Sequence, residues 1–135
     1  MVRFRLPADD LEYAVLAELW QLGAASVREL HERLGARQGR VYTTTAKVID
    51  RLRQKGLVQR QSQRKDKGNA FVYRSRVARE EVERARARSA VTRLLGARPR
   101  AAVAALVEAV DDADPALLEE LERAVRARRR AKDGA

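Results

Sequence analysis

The pattern of apolar and polar positions in the first part of the chain predicts three short helices. Apolar residues recur at helical spacing in LEYAVLAELWQLG, which Asp10 precedes as a candidate N-cap and Gly23 ends. The second segment, SVRELHERLG, begins with Ser26 and Glu29 at capping-box spacing. The third extends from RVYTTT to Gly56. Three short helices joined by few residues indicate a helix-turn-helix unit.

The third segment has the properties of a helix that reads DNA. In a helix-turn-helix, the N-terminal residues of the second helix of the motif contact base edges and phosphates. Short hydroxyl side chains suit that position, because they let the backbone approach and donate to phosphate oxygens. The inward side is predicted to contain Val41, Thr45, Val48, Ile49 and Leu52. The predicted DNA contacts are Arg40, Tyr42, Thr43, Thr44, Lys47 and Arg51. Helix capping is the alternative for Thr43, and a solvated face is the alternative for Lys47 and Arg51.

After Gly56 the period changes from helical to alternating. LVQRQSQ and AFVYRSR read as two strands joined by RKDKGN, in which Gly68-Asn69 is a turn signal. Phe71 and Tyr73 fall on one face of the predicted hairpin. Three helices followed by a basic hairpin are the plan of a winged helix. The hairpin tip is predicted to lie along the phosphate backbone through Arg64, Lys65 and Lys67.

Three amphipathic helices are predicted in the remainder of the chain. Asp114 and Pro115 have the pattern of an N-cap and a first helical residue. These helices contain little aromatic bulk, so we expect them to pair with the same helices of a second chain; packing back onto the N-terminal lobe is the alternative. The predicted dimerisation residues are Val82, Val91, Leu94, Leu95, Val103, Leu106, Val107, Val110, Leu117, Leu118, Leu121 and Val125.

The predicted fold class is therefore mainly α with a small β-hairpin, a winged helix-turn-helix followed by a helical dimerisation region. We expect the DNA-binding domain over residues 8–76, the dimerisation domain over 77–130 and a flexible tail over 131–135.

The charge distribution supports a polyanionic partner. The chain has a net charge of +10, and residues 37–76 contain twelve basic and two acidic side chains, so all the excess lies in that block. Such a block is typical of nucleic-acid binding, although a solvated basic surface is the alternative. A non-specific architectural DNA-binding protein and a winged-helix module for protein contacts remain open. Steep loss of binding with salt would favour DNA, and discrimination of an operator from random duplex would favour a regulator.

Other classes of protein are disfavoured. His31 is the single histidine and cysteine is absent, so the usual metal-ligand sets and the Cys-His nucleophile pair are missing; no catalysis, cofactor or metal is predicted. His31 is expected to be a half-exposed surface residue. The sequence contains neither an apolar signal region nor a long apolar run, and it lacks cysteine, which together predict a cytoplasmic protein with no membrane contact.

Several stretches, taken together and in order, resemble the penicillinase-repressor family of bacterial winged-helix regulators. They are LEYAVLAELWQLGAASVRELHERL, YTTTAKVIDRLRQKGLVQR, GNAFVYRSRVAREEV and LVEAVDDADPALLEELERAV. This family includes the β-lactamase, methicillin-resistance and copper-responsive repressors. The resemblance implies a homodimeric repressor on a palindromic operator of double-stranded DNA, with the helix around Thr43, Thr44 and Lys47 in successive major grooves.

Two departures from the family pattern bear on induction. The copper-responsive branch uses a C-terminal Cys-x-Cys cluster, and the absence of cysteine excludes that route. Members cleaved by a membrane-bound sensor protease contain an Asn-Phe bond in the dimerisation helices. The corresponding stretch here, RLLGARPRAAVAAL, contains neither residue, so release by a sensor protease is left open together with the inducing signal.

Overall fold

The computed structural model describes residues 3–35, 39–65 and 68–134. Its contacts divide the chain into two compact units, Met1–Ala87 and Arg88–Ala135. The secondary structure is mainly helical with one antiparallel hairpin, which confirms the predicted fold class.

The first unit begins with the three predicted helices. Helix α1 spans Asp10–Leu22, α2 spans Val27–Leu30 and continues as a π-helical turn over His31–Gly35, and α3 spans Tyr42–Gln54. The π-helical turn was not predicted, because the apolar spacing of the second segment is compatible with an ordinary α-helix.

The helix ends follow the sequence signals with one correction. The N-cap of α1 is Asp9 rather than Asp10, because the Asp9 carboxylate accepts a hydrogen bond of 2.8 Å from the backbone N–H of Glu12. The capping box of Ser26 and Glu29 is present in full, as predicted.

The wing is a two-stranded antiparallel sheet. Strand β1 spans Val58–Lys65 and β2 spans Gly68–Ser75, with Val58 opposite Ser75 at the base. Tyr73 of β2 also forms an isolated antiparallel β-bridge with Ala25, in which the two residues exchange backbone hydrogen bonds of 3.0 and 2.8 Å. This bridge attaches the wing to the segment that leads into α2.

A tryptophan attaches the base of the wing to α1. The Trp20 indole Nε1 donates to the Ser75 hydroxyl at 2.9 Å and to the Val77 carbonyl at 3.0 Å. The hairpin pairing continues one step beyond the strands, because the backbone N–H of Arg76 donates to the Leu57 carbonyl at 2.9 Å. The wing is thus attached to α1 through Trp20 and to the segment before α2 through Ala25.

One hydrophobic core holds the first unit together. Its centre is aliphatic, and Phe4, Trp20 and Tyr73 pack at its margin. The buried apolar residues are Val15, Leu16, Leu19, Ala25, Leu30, Val48, Ile49, Leu52, Leu57, Val58, Val77 and Val82.

The second unit is built of helices alone. Helix α4 spans Arg79–Ala97 and contains the division between the two units, α5 spans Pro99–Ala113 and α6 spans Pro115–Asp133. The Asp114 carboxylate accepts from the backbone N–H of Ala116 at 3.0 Å, so the predicted N-cap of α6 is confirmed.

Candidate nucleic-acid interface

Helix α3 begins without a side-chain cap. Its N-cap residue is Val41, which makes no side-chain hydrogen bond to the helix and is 63% exposed, so its predicted inward position is wrong. Thr43 lies inside the first turn rather than at the cap position, which removes capping as the explanation for this residue. The N–H groups of a first turn carry the positive end of the helix dipole and bind anions readily when no side chain satisfies them.

The exposed face of α3 presents hydroxyl and cationic side chains in order along the helix. Thr43, Lys47 and Arg51 are exposed, whereas Thr44 is half-buried and Thr45 is buried with the core. Within the described part of the chain, Lys47 and Arg51 form no ion pair with a carboxylate. Their charges are therefore available to an external partner.

Other cations of the same block are already neutralised. Lys55 at the end of α3 forms an ion pair with Glu12 of α1, and the two side chains are 15% and 3% exposed. Arg53 pairs with Asp50 at 3.3 Å on the helix surface. The basic block of the sequence therefore contains cations that hold the fold together as well as cations that are free to bind.

A groove of about 480 Å³ separates the start of α3 from the wing. Two exposed aromatic rings, Tyr42 and Phe71, face it, and Arg28 of α2 lies at its edge. The Arg60 guanidinium lies 4.4 Å from the centroid of the Phe71 ring, a cation–π contact that holds this charge beside the groove. The full lining is Ser26, Val27, Arg28, Tyr42, Ala70, Phe71 and Tyr73.

Arg28 and Arg60, the two cations beside the groove, were not among the predicted contacts. Arg60 is opposite Tyr73 in the strand register, so it shares the face of the hairpin that contains Phe71 and Tyr73. Alternation alone could not identify Arg60, because it lies on the other strand and its face depends on the register across the turn. No sequence pattern marks Arg28 either, because its position follows from the packing of α2 beside the wing.

Arg64, Lys65 and Lys67 are the contacts predicted for the tip of the wing. The backbone of Arg64 and Lys65 ends β1, opposite Asn69 and Gly68. Lys67 lies outside the described residues, as do the side chains of Arg64 and Lys65, so their contact with a phosphate backbone stays a prediction. Arg40 is exposed just before α3.

The predicted dimerisation residues fall into two groups. Val82 is fully buried in the core of the first unit, so its assignment to an exposed pairing face is wrong: the start of α4 completes the winged-helix core. The others belong to the second unit, where Leu94, Val103 and Leu117 are 68%, 52% and 42% exposed. Leu106, Val107 and Val125 are also exposed, and Val91, Leu95, Val110, Leu118 and Leu121 are half-buried.

An apolar groove of about 540 Å³ runs between α5 and α6. Val107 of α5 faces Leu118, Leu121 and Val125 of α6, and the rim is formed by Glu122, Arg126 and Arg129. Every residue of α5 and α6 is described, and none of them is buried. The apolar faces of these helices are therefore open in a single chain.

Two kinds of site do not occur in the part of the chain that the structure describes. No group of three or more His, Asp or Glu side chains could hold a metal ion. None of the helices within the described ranges is both long enough and apolar enough to cross a bilayer.

Comparison with known proteins identifies the family. The family model described as "Penicillinase repressor" matches residues 9–127, which includes both the winged helix and most of α6. A family of repressors is a family of regulators rather than of enzymes, in agreement with the prediction that the chain is not an enzyme.

Curated relatives match over a shorter stretch. The proteins called "Transcriptional regulator BlaI" from two strains of Mycobacterium tuberculosis are 46% identical over 50 residues, which is 36% of this chain and 36% of each relative. Among solved structures, the PcaV transcriptional regulator of Streptomyces coelicolor, in complex with its natural ligand, is 23% identical over 93% of this chain and 79% of its own, with a TM-score of 0.44. Stf76 from the Sulfolobus islandicus plasmid-virus pSSVx is 19% identical over 56% of this chain and 92% of its own, with a TM-score of 0.43.

Proposed function

Because this chain belongs to the penicillinase repressor family, we propose that it is a DNA-binding transcriptional regulator, and that it represses transcription as a homodimer on a palindromic operator. In this proposal the first unit, Met1–Ala87, binds DNA and the helices of the second unit form the dimer; the boundary lies beyond the expected position 76/77 because Val77 and Val82 are buried in the core of the first unit. The expectation of a flexible tail from residue 131 is wrong for 131–133, which belong to α6. The regulator would act in the cytoplasm, where its operator lies.

The uncapped start of α3 is the observation that carries the DNA-binding proposal. A first turn that no side chain caps attracts a phosphate, and within the described residues the neighbouring Lys47 and Arg51 have no competing carboxylate. In the major groove, Lys47 reaches base edges or a phosphate one turn beyond Thr43. Thr44 and Tyr42 would contact the DNA beside Lys47, and Arg40, just before α3, would contact the phosphate backbone of the DNA.

The groove between α3 and the wing extends the proposed contact. Arg28 and Arg60 bring two further guanidinium groups to its edges, and each suits a phosphate oxygen better than a base edge in this position. The tip of the wing, with Arg64, Lys65 and Lys67, would continue along the backbone beyond the groove. Sequence specificity is therefore assigned to α3 and affinity to both elements.

The open apolar faces of α5 and α6 support the homodimer. An exposed face with this many Leu and Val side chains is typical of a surface that another molecule covers. A second copy offers the same face, as a two-fold interface requires, and two copies match a palindromic operator. Release from DNA would follow separation of the two copies. The signal that separates them is a different one from cleavage at an Asn-Phe bond, because the corresponding stretch contains neither residue.

Binding selection from a random duplex pool at near-physiological salt tests this function. The wild type and Lys47→Ala are compared, with Lys132→Ala in the last turn of α6 as a control of equal charge loss. We expect a palindrome from the wild type and the control, and a lost or degenerate half-site from Lys47→Ala.

Other outcomes would favour the alternative functions. Binding at low salt without any recovered motif would favour a non-specific architectural protein, since phosphate contacts carry no sequence information. No duplex binding even at low salt would favour a module for protein contacts.

A further inference from the structure

His31 occupies a position between α2 and the first turn of α3. Its Nδ1 lies 3.0 Å from the Thr45 hydroxyl, with the proton supplied by either partner according to the ring tautomer. Its ring also packs against the ring of Tyr42, edge to face, with centroids 5.7 Å apart and an angle of 71°. One side chain therefore contacts both the first and the fourth residues of α3.

The two contacts of His31 involve one buried and one exposed residue of α3. Thr45 is 4% exposed in an otherwise aliphatic core, and a buried hydroxyl needs a hydrogen-bond partner, which His31 provides. Tyr42 is 49% exposed and lines the groove beside the wing. Thr43 and Thr44 lie between these two residues, so the contacts of His31 bracket the segment proposed to read DNA.

His31 is itself held in place from two sides. It begins the π-helical turn that follows Leu30, which is fully buried. Two residues further along, the Arg33 Nε donates to the Glu18 carboxylate of α1 at 3.0 Å. The ring thus projects from a segment attached to the core and to α1, which makes it a suitable support for a helix end that has no side-chain cap.

We propose that His31 is a positioning residue for operator recognition: it fixes the first turn of α3 from the side through Thr45 and Tyr42. The inference rests on the proposed DNA-binding function and adds a residue that does not touch DNA. Small displacements of a recognition helix weaken base contacts more than phosphate contacts, because base contacts depend on direction whereas phosphate attraction depends chiefly on distance. Loss of His31 therefore lowers discrimination rather than general affinity.

Variants that separate the two contacts test this role. His31→Phe keeps a ring beside Tyr42 and loses the hydrogen bond, whereas His31→Asn keeps hydrogen-bonding capacity and loses the ring. Thr45→Val removes the hydroxyl at nearly constant shape, and Thr45→Ser keeps it. Dissociation constants for the selected operator and for random duplex are measured across a salt series, together with the thermal midpoint of each variant.

The expected result is a loss of discrimination in the variants that remove the hydrogen bond. In His31→Phe the thermal midpoint falls as well, because the buried Thr45 hydroxyl loses its partner. His31→Phe and Thr45→Val should each lower the ratio of operator to random-duplex affinity about tenfold, the loss typical of one directional contact. The double variant should lose no more than either single variant, since both remove the same bond. Thr45→Ser should keep the ratio, and the salt slope should stay the same in every variant.

Contrary results are distinguishable. A lower thermal midpoint with an unchanged affinity ratio in His31→Phe, His31→Asn and Thr45→Val would overturn the positioning role and leave His31 as a core contact. If a His31 variant does not fold, the comparison of Thr45→Val with Thr45→Ser decides in the same way. A wild type that binds operator and random duplex equally would overturn the proposed function, and the positioning role with it, before any variant is considered.

Discussion

The two units of this chain solve the problem of burying apolar surface differently. In the first, aliphatic residues from all three N-terminal helices and from the base of the wing reach complete burial around Leu16, Leu19 and Leu52. In the second, neither α5 nor α6 contains a buried residue, although both carry Leu and Val at helical spacing. The first unit is complete as a single chain, whereas the second has an apolar surface that still needs a partner.

Ion pairs show the same contrast. In the first unit, the pair of Lys55 and Glu12 is buried and joins α3 to α1. In the second, Arg126 and Glu122 pair within one turn of α6, with side chains 67% and 62% exposed. A buried pair fixes the arrangement of two elements, whereas an exposed pair within one helix adds little.

The largest effect is expected from breaking the buried pair. Lys55→Met leaves the Glu12 carboxylate buried without its counter-charge, and the free energy of unfolding should fall by about 3–5 kcal/mol. Urea unfolding measures this change. Arg51→Met, a similar charge loss on the exposed face of the same helix, is the control and should leave stability nearly unchanged; equal losses in the two variants would contradict the assignment of Lys55 to the fold.

A second comparison uses the same substitution in the two units. Leu52→Ala opens a cavity in the core of the first unit and should lower the free energy of unfolding by about 2–5 kcal/mol. Leu117→Ala, where the side chain is 42% exposed, should change the unfolding of the dissociated chain by less than about 1 kcal/mol. Chemical unfolding at low protein concentration reports both, and a large loss in Leu117→Ala under these conditions would show that this surface is already covered within one chain.

The apolar groove between α5 and α6 allows a test of association. Leu121→Glu places a charge in that groove, and we expect the dimer to dissociate at least about a hundredfold more readily, since burying an unpaired charge costs several kcal/mol. Sedimentation velocity over a dilution series measures this constant. Ala127→Glu, on an exposed position of the same helix outside the groove lining, is the control and should dimerise as the wild type does.

The smallest effect is expected from the exposed pair in α6. Glu122→Gln removes the partner of Arg126, and the free energy of unfolding of the dissociated chain should change by no more than about 0.5 kcal/mol. Thermal unfolding at two salt concentrations checks this expectation. A loss as large as that in Lys55→Met would remove the contrast between the two pairs.

Local signals in the sequence predicted most of the winged helix. Gly23 ends α1 with a positive φ of 81°, and Ser26 and Glu29 form the capping box that their spacing indicates. Alternation placed Phe71 and Tyr73 on one face of the wing, and both line the groove. Such signals depend on residues close in sequence, which is why they can be recognised without a structure.

Features that depend on distant contacts were not predicted. Val82 has the same spacing as the exposed apolar residues of the second unit, and only the packing of the first unit shows that it is buried there. The pairing of Lys55 with Glu12 spans 43 positions, and the contact of His31 with Thr45 spans 14. Lys55 and Lys47 contribute equally to the net charge of the sequence. In the structure, Lys55 pairs with the buried Glu12, whereas Lys47 is exposed.

Sedimentation equilibrium of the full chain, without DNA and over the micromolar range, tests the central contrast between the units most directly. We expect a mass about twice the 15.2 kDa of one chain, which decreases toward that of one chain on dilution. The first unit should stay folded throughout, as measured by the near-ultraviolet circular dichroism of Trp20. A mass of one chain throughout, with the amides of α5 and α6 protected from hydrogen exchange, would contradict it, because the second unit would then be stable without a partner.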